Sequence, residues 1–482
     1  MASLFDIASR AGSAAQSAFE AGQNLFEPRL RLGVTGLARS GKTVFTTALV
    51  HHLVRGTALP AFRAAAEGRI RRARLAHQPD DDVPRFAYEA NFQALVEERR
   101  WPGSTTRISE LRLDLNFERA SRWRSGPGRL TLDIVDYPGE WLLDLALIDQ
   151  DYAVWAQATV GAARRPERAA LAGPWLSELA RLDPAGPADE AVAARAAEAF
   201  RSYLEALRAD PEAVATTPPG RFLMPGDLAG SPALTFAPLE VSPGAPISPG
   251  TLAGLMQRRF ESYKARVVQP FFREHFQRVD RQIVLVDVLA AIDSGPTALA
   301  ELEDALDRVL LAFNAGRNTL LSRLFAPRAD RVLFAATKAD HIHHTSHDRL
   351  ERLLRHLVGR AVRRTEAAGA RVGSVALASV RATREASVED GRATLKTVLG
   401  TPESGERIGP ELFDGVEEAA IYPGELPADP ATVLAGAVPP GSLRFPRFRP
   451  PLVPADAAGR AGALPHIRLD RALEFLIGDR LA

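Results

Sequence analysis

Short apolar runs alternate with longer stretches of helical periodicity along most of this chain. LRLGVT (30–35) is an apolar run of strand length, and the segment from Lys42 to Val54 is helix-like. Residues 58–100 read as mostly helical, broken by QPDDDVP (78–84). ELRLDLNF (110–117) and RLTLDIVD (129–136) alternate apolar and polar positions with SGPG (125–128) between them, which predicts a hairpin. Residues 141–210, rich in Ala, Leu, Glu and Arg, read as helices, and the Pro/Gly-rich stretch 209–250 reads as a long loop. RQIVLVDVL (281–289), RVLFAAT (331–337) and GSVALAS (373–379) have the continuous apolar character of buried strands, with helical stretches between them. From 384 to about 465 the chain is polar and Pro-rich, and RLDRALEFLIGDRL (468–481) reads as a closing helix. At the other end Leu4, Ala8, Ala11, Ala15 and Phe19 share one helical face, and Glu27-Pro28 ends that helix.

Strands alternating with helices imply an α/β fold, with a mixed, mainly parallel sheet covered on both faces. The expected organisation is an N-terminal helix (1–28), an α/β core in two parts (29–140 and 281–390), a mainly helical insertion (141–280) and a C-terminal accessory region (391–482). A chain of 482 residues exceeds a single small core. A formal net charge of +1 gives no global field toward nucleic acid. The sequence has no cysteine, so disulfides, thiolate metal sites and Cys nucleophiles are excluded. No apolar run reaches the roughly 20 residues of a bilayer span, and the first residues lack a signal-peptide pattern, so a cytoplasmic location is expected. Arginine outnumbers lysine so strongly that Lys42, Lys264, Lys338 and Lys396 are the only lysines, and two of these four fall in the motifs below.

Gly36-Leu37-Ala38-Arg39-Ser40-Gly41-Lys42-Thr43 matches G-x-x-x-x-G-K-[ST] between a strand and a helix, followed by Val44. Glycines let backbone N–H groups approach phosphate, and the helix N-terminus adds positive potential. Lys42 is expected to reach the β- and γ-phosphates and Thr43 to ligate Mg²⁺. Asp136-Tyr137-Pro138-Gly139 ends a strand, placing Asp136 for the Mg²⁺ site and the Gly139 N–H for the γ-phosphate. Thr337-Lys338-Ala339-Asp340 matches [NT]-K-x-D. Its carboxylate can accept from both N1–H and the 2-amino group of guanine, neither of which adenine offers. Ser379-Val380-Arg381 is similar to the S-A-K loop that closes over the base. Thr105 and Thr106 lie where a switch threonine for Mg²⁺ belongs, and Arg107 beside them is a candidate to neutralise transition-state charge. Glu140 stands where many GTPases carry a water-orienting Gln, so turnover is expected to be slow. Trp141 is expected to be carried with this loop, and so to present or withdraw an apolar surface to a partner. His341, His343, His344 and His347 crowd HIHHTSHD; a polar helix start beside the base pocket is preferred to a zinc or nickel cluster.

The order of these motifs resembles Ras-like GTPases. In their longer forms, GLARSGKTVFTTALV, RRWPGSTTRISELRL, DIVDYPGEWLLDL, ATKADHIHHTSHD, ASVRAT and AIYPGELP resemble the YcjX-like family of bacterial P-loop proteins. That resemblance implies a Ras-type P-loop core, GTP/GDP and Mg²⁺ as ligands, and a stress-linked role beside a membrane-protein partner, with peripheral attachment at the inner membrane. GTP hydrolysis driving a conformational switch is the expected function. Its rivals are a nucleotide-gated scaffold with negligible hydrolysis and a P-loop small-molecule kinase.

Overall fold

The computed structural model describes residues 28–37, 39–78, 80–103, 107–120, 126–210, 217–225, 228–311, 329–367, 369–389, 391, 394–438, 442–455, 459 and 461–482. The expected N-terminal helix therefore lies outside the described residues, apart from Pro28. Seven of the described strands are β1 (Arg29–Gly36), β2 (Ile70–Ala76), β3 (Ser109–Glu118), β4 (Pro127–Asp136), β5 (Arg281–Val286), β6 (Arg331–Ala336) and β7 (Arg371–Ala376). They form one sheet in the order β2-β3-β4-β1-β5-β6-β7. The stretch β4-β1-β5-β6-β7 is parallel, and β2 and β3 complete it antiparallel. β5 and β6 are apolar on both faces, as in Ile283, Val284, Leu285 and Val286, because helices cover both sides, whereas β1 and β4 alternate apolar residues with Arg31, Thr131 and Asp133.

The main helices among the described residues are α1 (Lys42–Arg55), α2 (Tyr88–Val96), α3 (Glu140–Leu143), α4 (Tyr152–Ala163), α5 (Pro166–Leu179), α6 (Glu190–Ala209), α7 (Leu252–Tyr263), α8 (Gln269–Glu274), α9 (Val288–Asp293), α10 (Pro296–Leu311), α11 (His347–Leu357), α12 (Gly359–Ala367) and α13 (Leu469–Ile477). One face of the sheet packs on α1, α2 and α13 through Phe45, Leu49, Leu95, Leu473 and Leu476. The other face joins α10 and α11 to the helices of 140–276 in one continuous core. A smaller sheet of β8 (Arg384–Glu389), β9 (Thr394–Gly400) and β12 (Ala419–Ile421) lies in the C-terminal region, which also carries the two-residue pair β10 (Arg407–Ile408) and β11 (Glu411–Leu412). No helix among the described residues is long and apolar enough to cross a membrane.

β2 corrects the helical expectation for 58–100. Its sequence IRRARLA is locally good helix material. The chain there forms the edge of the sheet, paired only with β3, and Arg71, Arg72 and Arg74 are exposed. Charge of this kind on an edge strand discourages pairing with other chains. The strand expected over 281–289 also ends early. Asp287 accepts from the Ala290 N–H at 3.1 Å and so caps α9.

The helical insertion is tied to the core directly beneath the D-x-x-G turn. α3 buries Trp141, Leu142 and Leu143, and Asp144 follows, 2% exposed. The Asp144 carboxylate accepts from the Tyr263 hydroxyl at 2.6 Å, the Gly220 N–H at 2.7 Å and the Arg221 N–H at 3.4 Å. The Arg221 guanidinium lies 3.3 Å from the Trp141 ring centroid. A side chain at Gly220 would meet the Glu140 carbonyl, 2.4 Å from where its Cβ would sit. Trp141 is thus held in the interior at 3% exposure in this structure.

Burial pushes the Asp144 carboxyl up to about 6, against the pull of its three donors. A pKa raised on folding stabilises fully below the ordinary carboxylate value, and that contribution is lost as pH rises through about 6. Wild type should therefore lose stability relative to Asp144→Asn as pH rises from about 4 to about 6, read from urea midpoints across that range. Tyr263→Phe, which removes one donor from a fully buried acceptor, should destabilise by about 1–3 kcal/mol at neutral pH in the same assay.

Candidate functional site

The G-x-x-x-x-G-K-T segment leaves the end of β1 and enters α1. Gly41 caps the helix at φ 87, in the left-handed region, and Arg39 is also left-handed at φ 62. Arg39 carries a Cβ in that conformation, at a cost of order 1–3 kcal/mol. Such strain concentrates at functional turns. A side chain on Gly36 would collide with the Leu285 carbonyl and the Ser40 hydroxyl, 2.3 Å and 2.4 Å from its Cβ position. The Lys42 ammonium lies inside the loop and donates to the Gly36 carbonyl at 2.7 Å. Thr43 starts α1, and its hydroxyl donates to the Gly103 carbonyl at 3.1 Å.

Parallel pairing of β1 with β4 sets Asp136 opposite Val34, so the D-x-x-G turn emerges beside the phosphate loop. Asp136 is 1% exposed. Gly139 packs so closely on the loop that a Cβ there would sit 1.9 Å from the Gly36 carbonyl oxygen. Only glycine fits this approach. Glu140 comes next and turns away from the loop, 2% exposed. Neither of its carboxylate oxygens has a hydrogen-bond partner among the described residues, and Arg208 of α6 places Nε 3.9 Å from Oε1.

Thr337 continues β6 and donates its N–H to the Val286 carbonyl at 2.9 Å. Lys338 is left-handed at φ 59, and its ammonium pairs with Asp287 at the end of β5. Asp340 is buried, and its Oδ2 accepts from the Ala382 N–H at 2.8 Å. The Thr383 hydroxyl donates to the Asp340 carbonyl, so the loops after β6 and β7 are stitched together.

The G-K-T turn and the loops after β6 and β7 converge on a cavity of about 320 Å³, within the usual range for small-molecule sites; Gly36, Asp136 and Gly139 lie behind it and are not part of its lining. Arg39, Ser40, Gly41, Lys42, Thr43 and Val44 form one end; Thr337, Lys338, Asp340, Ser379 and Val380 form the other. Arg381 leaves this wall, its Nε donating to the Thr383 carbonyl at 2.8 Å. Arg107 is exposed and, like Glu140, is not part of the cavity lining. Ala38, Thr105 and Thr106 lie outside the described residues.

Several wall residues carry no motif. Trp101, Pro102 and Gly103 come from the segment before β3, and Glu403, Arg447 and Phe448 come from the C-terminal region. Trp101 Nε1 donates to the Phe448 carbonyl at 2.6 Å, and the Phe448 ring stands edge-on to His341 at 5.3 Å. Arg447 and Glu403 meet through a backbone bond of 2.8 Å, and burial raises the Glu403 carboxyl above the ordinary range. Only the Trp of RRWPGSTTR hinted at this wall in the sequence; the C-terminal residues reach it through a long-range bridge between Pro402 and Phe448.

The Gly139 contact yields a direct test. Gly139→Ala would set a methyl against a backbone oxygen in a packed turn, and overpacking of this kind costs about 1–3 kcal/mol. Urea denaturation should show that loss, whereas Gly161→Ala, on a helix with open space around it, should show none.

The pattern of the YcjX-like family, DUF463, matches residues 30–481. A relative from Escherichia coli K12, named Ras-like GTPase YcjX, is 39% identical over 467 residues, covering 94% of this chain and 96% of its own length. Another of the same name, from Shewanella oneidensis MR-1, is 32% identical over 473 residues, covering 94% of each. On the strength of this near full-length match, carried by an α/β fold with a mainly parallel sheet, the chain belongs to the YcjX-like family.

Proposed function

We propose that this protein binds GTP in the cavity between the phosphate loop and Asp340, and hydrolyses it slowly with Mg²⁺. The observation that carries the reading is the joint lining of one cavity by Lys42 at one end and Asp340 at the other. That arrangement suits a ligand with a polyphosphate at one end and a purine at the other. The names of the two relatives support the same class. Lys42, with the loop N–H groups and the α1 N-terminus, would hold the β- and γ-phosphates. Asp340, fixed through one oxygen by the Ala382 N–H, keeps lone pairs on both oxygens for the guanine edge. Ser379 and Val380 close over the base, while the aliphatic stem of Lys338 is held in place by Asp287.

Thr43 and Asp136 supply oxygen donors only, a set that fits a hard cation such as Mg²⁺, which prefers oxygen ligands and retains waters. Thr105 and Thr106 are the proposed switch ligands. When bound, Mg²⁺ would neutralise charge on the β- and γ-phosphate oxygens. Arg107 could add positive charge only if its segment folds over the phosphates. Glu140 faces Arg208 and the insertion, so it can orient water only if the D-x-x-G turn moves. This placement favours slow turnover, and it makes a second reading concrete: a scaffold that binds GTP and barely cleaves it. Multiple-turnover phosphate release separates the two.

Lys42→Ala should weaken GTP by the loss of charge-assisted contacts worth about 1.5–3 kcal/mol each, so at least roughly tenfold by calorimetry. Asp340→Asn should weaken GTP and leave ATP nearly unchanged, because an amide cannot accept with both side-chain atoms. Equal affinity of wild type for GTP and ATP would overturn the guanine reading, and unchanged GTP binding in folded Lys42→Ala would overturn the site.

A further inference from the structure

The histidine-rich turn after Asp340 divides into two faces. His341 points inward against Phe448, and buried His347 holds Nε2 2.8 Å from the Ala339 carbonyl. His343 and His344 point instead toward Glu385 on β8 of the C-terminal sheet. Glu385 Oε2 lies 2.7 Å from His344 Nδ1 and 3.8 Å from His343 Nε2. One ligand atom from each of the three residues falls within 4.8 Å of the other two. A tetrahedral ion with bonds of about 2.0–2.1 Å keeps its ligand atoms about 3.3 Å apart, and the two observed distances bracket that spacing.

The surroundings orient these groups for the same task. His343 Nδ1 accepts from the Thr345 N–H at 3.4 Å and lies 3.0 Å from the Thr345 hydroxyl, which holds the ring with Nε2 on the side of Glu385. The other oxygen of Glu385 accepts from the His344 N–H at 3.2 Å and has the Arg381 guanidinium at 3.8 Å, which turns Oε2 toward the imidazoles. The site also joins two segments that meet at the base-reading carboxylate. His343 is three residues after Asp340, and Glu385 is three residues after Ala382, whose N–H holds Asp340.

We propose that His343, His344 and Glu385 bind a divalent ion of the zinc class, and that the ion fastens the turn bearing Asp340 to the C-terminal sheet. Two imidazoles and one carboxylate suit a borderline ion; Mg²⁺ and Ca²⁺ prefer oxygen alone. Three protein ligands leave a fourth position for water. The site is separate from the proposed Mg²⁺ ligands and does not depend on the nucleotide reading.

The test uses the full chain, stripped with EDTA and dialysed, then titrated with ZnCl₂ by calorimetry and, in parallel, with MgCl₂. One saturable Zn²⁺ site per chain is expected, with no competition from Mg²⁺. Glu385→Gln and His344→Ala should each weaken Zn²⁺ at least about tenfold, and His356→Ala, on an exposed position of α11, should not. Zn²⁺ should raise the melting temperature of wild type and not of the two ligand variants, because a ligand that binds only the folded state stabilises it. Equal melting of all proteins in EDTA would show that the variants fold. Absence of saturable Zn²⁺ binding in wild type, or undiminished binding in both ligand variants, would overturn the proposal. GTP binding is measured separately, so either reading can fail without the other.

Discussion

Parallel strand register is the constraint on which the candidate site depends. β4 pairs with β1 so that Asp136 meets Val34, β1 pairs with β5 so that Gly36 meets Leu285, and β6 pairs with β5 and β7 so that Ala336 meets Val286 and Ala376. Five chain segments distant in sequence therefore end at one edge. The phosphate loop, the D-x-x-G turn, Asp287, the T-K-A-D turn and the Ser379 loop all spring from that edge. Burial of Leu30, Leu32 and Val34 of β1 and of Leu130, Leu132 and Ile134 of β4 in one core enforces their register, because a slip of one residue would turn Arg31 and Asp133 into that core.

Close backbone approach then converts register into a rigid cradle. Gly139 lies against Gly36 with no room for a methyl group, and Gly36 lies against Leu285 in the same way. Left-handed Arg39 and Lys338 both face the cavity, held in uncommon conformations by the packing around them. Directly beyond Gly139 the chain enters the Asp144 joint, where Tyr263, Gly220 and Arg221 come from the helical insertion. A buried carboxylate with three donors is costly to disturb, so the turn and the insertion are mechanically one piece in this structure.

The outer wall of the cavity follows a different logic. Trp101 and the strand-like pieces around Glu403 and Phe448 hold one another through backbone acceptors, and Phe448 also packs on Val398 and Ile421. His341 adds its ring to this wall, while its neighbours His343 and His344 turn outward to Glu385. One short turn thus lines the cavity and touches the C-terminal sheet.

By itself the sequence determined what local chemistry can encode. The turn between β1 and α1, the D-x-x-G turn after β4, the T-K-A-D turn and the central strands were legible as local structure because each rests on a short motif or on apolar character. Edge strand β2 was not legible, since IRRARLA favours a helix until β3 offers it a ladder of hydrogen bonds. Nor could local pattern reveal that Glu140 and Trp141 face the insertion, because their partners Arg208, Arg221 and Phe271 lie about 70 to 130 residues further along the chain. The places of Glu403, Arg447 and Phe448 in the cavity, and of Glu385 beside two histidines, were likewise decided by tertiary structure. Long-range contacts of this kind depend on how sheets and loops meet in space, and a side chain's period along the chain says nothing about which distant backbone will reach it.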